Sequence, residues 1–158
     1  MSDLSTTTAR PAIGDRPGYV TDGGMETDLI FHRGVELPEF AAFPLLEEAK
    51  GRALLRAYYD DYAQVAAQVG AGLILESPTW RANPDWGARL GYGPAQLAVI
   101  DREAVRFLQE LAAGYAQEVS DVLVCGMVGP RGDEYVVGRV MSSDEAADYH
   151  RSQIDSFA

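Results

Sequence analysis

Three short apolar runs, each closed by glycine, proline or an acid and each followed by a long stretch of helical periodicity, constrain this chain more than any other feature. They are Tyr19, Val20, Thr21, then Leu73, Ile74, Leu75, then Val122, Leu123, Val124, Cys125. Uninterrupted runs of this kind suit strands buried on both faces, and strands alternating with helices favour parallel pairing, because parallel neighbours need a crossover between them. The expectation is an α/β fold with about three βα units.

The segments between the runs support that reading. Over residues 46–69, Leu54, Tyr58, Tyr62, Val65 and Val69 recur at three or four and share one helical face, with Gly70 and Gly72 as the stop. Residues 81–100 hold Pro84, Gly87, Gly91, Gly93 and Pro94 and read as a long irregular loop, after which Asp101 caps a helix carrying Val105, Leu108, Ala112, Tyr115 and Val119. Ser142 and Glu145 have capping-box spacing and open a last helix with Ala147, His150, Ile154 and Phe157 on one side. Residues 135–141 offer a weak fourth strand. Residues 1–17, rich in Ser, Thr, Pro and Arg, read as a disordered leader, leaving 18–158 as the folded part.

A net charge of −11 repels phosphate backbones and anionic lipid, so neither nucleic acid nor membrane is expected as a partner. No apolar run approaches membrane-spanning length and no signal pattern opens the chain, so the expected location is cytoplasmic. One cysteine, Cys125, excludes an internal disulfide framework and a multi-thiolate metal site, and reads as a small buried residue. His32 and His150 have no short ligand spacing with it.

In parallel α/β folds ligands gather at the carboxyl ends of the strands. There the chain carries Asp22 with Gly23 and Gly24, then Glu76 to Trp80, then the glycine-rich stretch from Gly126. A glycine pair exposes backbone N–H groups to a carboxylate and an adjacent Asp accepts from an ammonium, a pairing that suits an α-amino acid; a tight turn is the plainer reading. Glu76 reads either as a ligand contact or as the partner of an arginine such as Arg81. Trp80 either shapes a pocket or belongs to the core. No dinucleotide fingerprint, P-loop or G-x-S-x-G is present.

DGGMETDL at 22–29, AQVGAGLIL ending at Leu75, ESPTWRAN at 76–83 and CGMVGPRGDEY at 125–135 together resemble the homocysteine S-methyltransferase family. That family includes betaine-dependent and S-methylmethionine-dependent enzymes and the homocysteine module of methionine synthase. The resemblance implies the N-terminal portion of a (β/α)8 TIM barrel, in which a zinc-bound homocysteine thiolate takes a methyl group from a small donor to give methionine. It implies substrate contacts at Asp22, Gly23, Gly24, Thr79 and Trp80, with Gly129 and Pro130 as a structural turn. Glu76, the sixth candidate, stands where the family commonly has Thr.

The family's three zinc cysteines have no counterpart, so zinc is not bindable by this chain alone and no catalytic residue is assigned. A complete barrel needs about 250 residues. The 158 residues therefore read as a truncated barrel, or as one that self-associates through an open edge. Two rival readings are a non-catalytic amino-acid-binding fragment and a small flavodoxin-like α/β enzyme using Asp22 and Glu76 as acid and base.

Overall fold

The computed structural model describes residues 18–132, 138 and 140–158. The expected leader, and most of the weak strand at 135–141, lie outside the described residues. The order is β1 (Tyr19–Thr21), α1 (Met25–Thr27) continuing into a π-helical turn (Asp28–His32), 310 turns at Pro38–Phe40 and Phe43–Glu47, α2 (Ala49–Val69) and β2 (Gly72–Glu76). Then come α3 (Pro84–Leu90), α4 (Pro94–Tyr115), β3 (Val122–Cys125) and α5 (Ser143–Phe157).

The three strands form one parallel sheet in the order β1-β2-β3, with Val20 opposite Leu73 and Leu75 opposite Val124. Neighbours in sequence are neighbours in the sheet. A flavodoxin-like order would place β1 between β2 and β3, so that rival is corrected by the topology.

Alternation along the strands divides the sheet into two faces. Leu73 and Leu75 are fully buried against the helices, and Val20, Val122 and Val124 pack on the same core. Thr21, Ile74 and Leu123 occupy the opposite face in one row. The core is completed by Tyr58, Tyr59, Leu55, Phe107, Leu108 and Leu111 from α2 and α4.

Local chemistry explains the helix ends. Gly70 closes α2 in the left-handed conformation, φ +67°, where a Cβ would be strained. Ser142 Oγ accepts from Glu145 N–H at 3.3 Å while the Glu145 carboxylate accepts from Ser142 N–H at 2.9 Å, the reciprocal cap expected from the spacing.

Several expectations are corrected. Residues 81–100 are largely helical: Asn83 caps α3 by accepting from Trp86 N–H, with Pro84 at the first helical position, and Pro94 opens α4 in the same way. Asp101 is consequently two turns inside α4, where it is buried rather than capping. The buried stripe of α2 runs through Leu55, Tyr59, Ala63 and Ala66, leaving Val65 and Val69 exposed, because the wide core face includes small residues that the apolar spacing overlooks. On α5 the buried residue is Gln153, and Ile154 is exposed. Cys125 is exposed, since β3 borders the described sheet on one side and alternation puts Cys125 on the face opposite Val124 and the helices.

The glycines of α2 and α4 make opposite predictions. A Cβ on Gly51 would lie 2.2 Å from the Leu45 carbonyl oxygen, so Gly51→Ala should destabilise by about 1–3 kcal/mol. Nothing lies within 4 Å of a Cβ on Gly114, so Gly114→Ala should stabilise by about 0.5–1 kcal/mol through helix propensity. Urea denaturation midpoints of the two variants check both signs.

Candidate functional site

At the carboxyl ends of the strands lies a cleft of about 280 Å³, lined by the 22–27 segment, Phe40, Glu76, Ser77, Pro78, Trp80 and Met127. Five of the six sequence candidates therefore meet there: Asp22, Gly23, Gly24, Glu76 and Trp80. Thr79 is the exception. It is fully buried behind the cleft, and its hydroxyl is used internally.

That internal use has a direction. Thr79 Oγ1 donates to the Met127 carbonyl at 2.8 Å, so in its 2.6 Å contact with Ser77 it must accept. Ser77 Oγ in turn accepts from Met127 N–H at 2.8 Å. The peptide groups and hydroxyls form a closed ring of hydrogen bonds that ties the end of β2 to the end of β3. Gly129 and Pro130 follow, and a Cβ on Gly129 would lie 1.9 Å from the Trp80 carbonyl oxygen. Close approach explains this glycine as a structural turn.

Asp22 is the most perturbed group of the cleft. It is 8% exposed, and its Oδ1 accepts from Glu76 N–H at 3.1 Å. Burial pushes its carboxyl up to about 7, with the Glu76 carboxylate adding to the rise and hydrogen bonds opposing it. Glu76 is half-buried and raised by burial as well. The buried Asp22 carboxyl and the half-buried Glu76 carboxyl line the same cleft.

The glycine pair acts less directly than its sequence suggests. Gly23 N–H is committed to Tyr58 Oη at 3.2 Å, and a Cβ on Gly23 would crowd the Tyr62 hydroxyl at 3.3 Å. Neither Gly23 nor Gly24 has a positive φ. Gly23 lets the tyrosines of α2 close under the loop, whereas a Cβ on Gly24 would meet only Thr27 at ordinary contact distance; Tyr59 adds a 2.6 Å bond to the Glu76 carbonyl.

Arg81 donates to the Glu39 carbonyl, and its guanidinium lies 3.9 Å from the Trp86 ring centroid and 4.9 Å from that of Trp80. It thereby braces Trp80, a role the sequence did not suggest. Phe40 reaches the cleft because Glu39 and Phe40 both adopt left-handed backbone, φ 53° and 56°. Such geometry in two successive non-glycine residues costs free energy. Phe40, Ser77 and Met127 escape sequence reasoning; Ser77 and Met127 at least fall within the glycine- and acid-ended stretches after β2 and β3.

Among the described residues no three His, Cys, Asp or Glu side chains converge on a metal position. Cys125 is raised by burial and by the Glu76 and Asp22 carboxyls, which disfavours the thiolate a metal needs. The described residues do not fit a zinc ion. Nor is any described helix long and apolar enough to cross a membrane.

Two outcomes follow from this geometry. The folded chain retains a proton on Asp22 that the unfolded chain, with its carboxyl near 3.8, releases earlier, so stability is full at acid pH and falls as pH rises toward about 7. Asp22→Asn should flatten that slope in thermal melts between pH 5 and 8. Gly129→Ala should cost about 1–3 kcal/mol by displacing the Trp80 peptide, and should shift tryptophan fluorescence.

Comparison with known proteins adds the lineage. A crystal structure described as the homocysteine methyltransferase MmuM from Escherichia coli, oxidized form, superposes with a TM-score of 0.66 at 24% identity, over 87% of this chain and 48% of that one. The chain thus spans about half the length of that solved structure, and the likeness shows a shared fold. No curated protein sequence matches it. The family model for homocysteine S-methyltransferase matches residues 19–158, which takes in every strand and the whole cleft, and on that match the chain belongs to the homocysteine S-methyltransferase family.

Proposed function

We propose that this chain supplies the amino-acid-holding wall of a homocysteine S-methyltransferase, within a partial (β/α)8 barrel made of its three βα units. The carrying observation is that the carboxyls of Asp22 and Glu76 line one cleft together with Trp80 and Phe40. A parallel sheet in sequential order with its helices on one face is the arrangement expected of consecutive barrel units.

In this reading the homocysteine ammonium lies against Asp22, with Glu76 beside it, and the amino acid's carbon chain runs along Trp80 and Met127. The substrate sulfur forms a bond to the donor's methyl carbon. The bond from that carbon to the donor heteroatom breaks, and its electron pair stays with the donor. This chain's residues bind and orient; zinc, where the family uses it, supplies a thiolate at neutral pH. Since the described residues do not fit zinc, no step of the transfer is assigned to them. Zinc and catalysis are proposed to come from outside the described residues, either from further barrel units or from association through the open sheet edge. A cytoplasmic setting suits a thiol substrate.

Calorimetric titration with homocysteine tests the reading. Asp22→Asn loses a charge-assisted contact and should weaken binding by about tenfold to a hundredfold. Affinity for the ammonium should rise as pH passes about 7, because Asp22 must ionise to accept it. That is opposite in sign to the stability trend. Absence of homocysteine binding from pH 6 to 8.5 refutes the proposal, whereas binding without methionine formation supports an amino-acid-binding role for this chain by itself.

A further inference from the structure

Helix α5 meets the site through one stripe of its surface. Tyr149, Gln153 and Phe157 are spaced four residues apart and so share a face. All three reach the segments that follow β2 and β3. Tyr149 Oη donates to Asn83 Oδ1 at 3.0 Å, at the cap of α3. The Phe157 ring packs so closely on Gly126 that a Cβ there would lie 2.4 Å from it. Between these two, Gln153 is buried although its chain neighbours Ser152 and Ile154 are exposed.

The Gln153 amide joins the two segments. Nε2 donates to the Thr79 carbonyl at 2.9 Å, and also lies 3.5 Å from the Met127 carbonyl. Turning the amide over would set Oε1 against both carbonyl oxygens, so the network fixes which atom points inward. The ring of Ser77, Thr79 and Met127 hydrogen bonds makes no bond to the Thr79 carbonyl, which belongs to the peptide leading into Trp80. That carbonyl accepts from Ala82 N–H at 2.9 Å, a bond within its own turn. Gln153 is what ties it to α5 and, through Met127, to the end of β3.

Both linked segments end in the cleft, since Trp80 and Met127 line it and Gln153 does not. We propose that Gln153 is a positioning residue: by donating its side-chain amide to the Thr79 and Met127 carbonyls, it fixes the spacing of the Trp80 and Met127 walls of the cleft. A buried donor that bridges two peptide groups restrains both, and the room between the walls decides how a side chain fits. The placement of the walls does not depend on the identity of the ligand. Its effect on homocysteine affinity rests on the function proposed above.

Two substitutions separate donation from the filling of space. Gln153 Oε1 has no hydrogen-bond partner among the described residues. Gln153→Met therefore deletes an unmet acceptor together with the donated bonds, keeps the volume, and leaves each carbonyl its other donor, from Ala82 or from Thr79 Oγ1. The fold should survive, as unchanged amide signals from α2 will show. Gln153→His returns one N–H at similar reach and is neutral at pH 8.

Nitrogen-15 spectra at pH 8 give the readout, with the Trp80 indole assigned by its loss in Trp80→Phe. The indole signal should shift in Gln153→Met and lie near its wild-type position in Gln153→His. Exchange protection of the Met127 amide should fall about tenfold in Gln153→Met and recover in Gln153→His. Calorimetric homocysteine affinity should follow the same order, about tenfold weaker in Gln153→Met. Wild-type Trp80 and Met127 signals in Gln153→Met overturn the proposal. Equal changes in both variants also overturn it, because packing and not donation is then what Gln153 supplies. Failure of the wild type to bind homocysteine, with the spectral responses intact, refutes the functional reading alone.

Discussion

The register of β2 is the constraint on which the rest depends. Because side chains alternate along a strand, fixing Leu73 and Leu75 in the helix layer sends Ile74 and Glu76 to the other face. A slip of one residue would turn Glu76 into the helix layer and expose two leucines, at about 2 kcal/mol per leucine before the buried charge is counted. Glu76 N–H then meets the Asp22 carboxylate, and Ser77 N–H meets the Cys125 carbonyl at 2.9 Å. The site is an outgrowth of the core's register.

The cleft is held by groups that are themselves unfavourably placed. Asp22 and Glu76 are both raised by burial, and Asp101 behind them is raised in the same way. Each retains protons that the unfolded chain would release, so the folded state becomes less favourable as pH rises. The ammonium-acceptor role proposed for Asp22 needs its ionised form, and so falls where this cost is felt. A ligand cation offsets it, which couples occupancy of the cleft to stability of the fold.

Much of this organisation was legible in the sequence. The three strands appear where short β-prone runs end in glycine or acid, because a strand needs only a few consecutive apolar or β-branched residues and a breaker to end it. Asp22 and Glu76 were legible because an acid follows each of the first two runs at once, and Trp80 because it falls in the short stretch after the second run. The Ser142–Glu145 cap was equally plain, since it is a local exchange of hydrogen bonds. The helices inside residues 81–100 were hidden by their glycines and prolines, which read as breakers although Pro84 and Pro94 occupy the first helical positions that proline favours. Phe40 was invisible because its direction comes from two left-handed residues rather than from any periodicity.

The sequence by itself determined the parallel α/β class, the strand ends as the site of the acids, and the family, because each rests on residues adjacent in the chain. Only the tertiary structure decided that Thr79 is a structural hydroxyl, that Cys125 is exposed, that Asp101 is buried inside a helix, and that Gln153 reaches the Thr79 carbonyl. These outcomes depend on which surfaces α4, α5 and the strand ends bring together across 26 to 74 positions of sequence separation. Burial and hydrogen-bond satisfaction over such distances are properties of packing, and no local pattern of residue types encodes them.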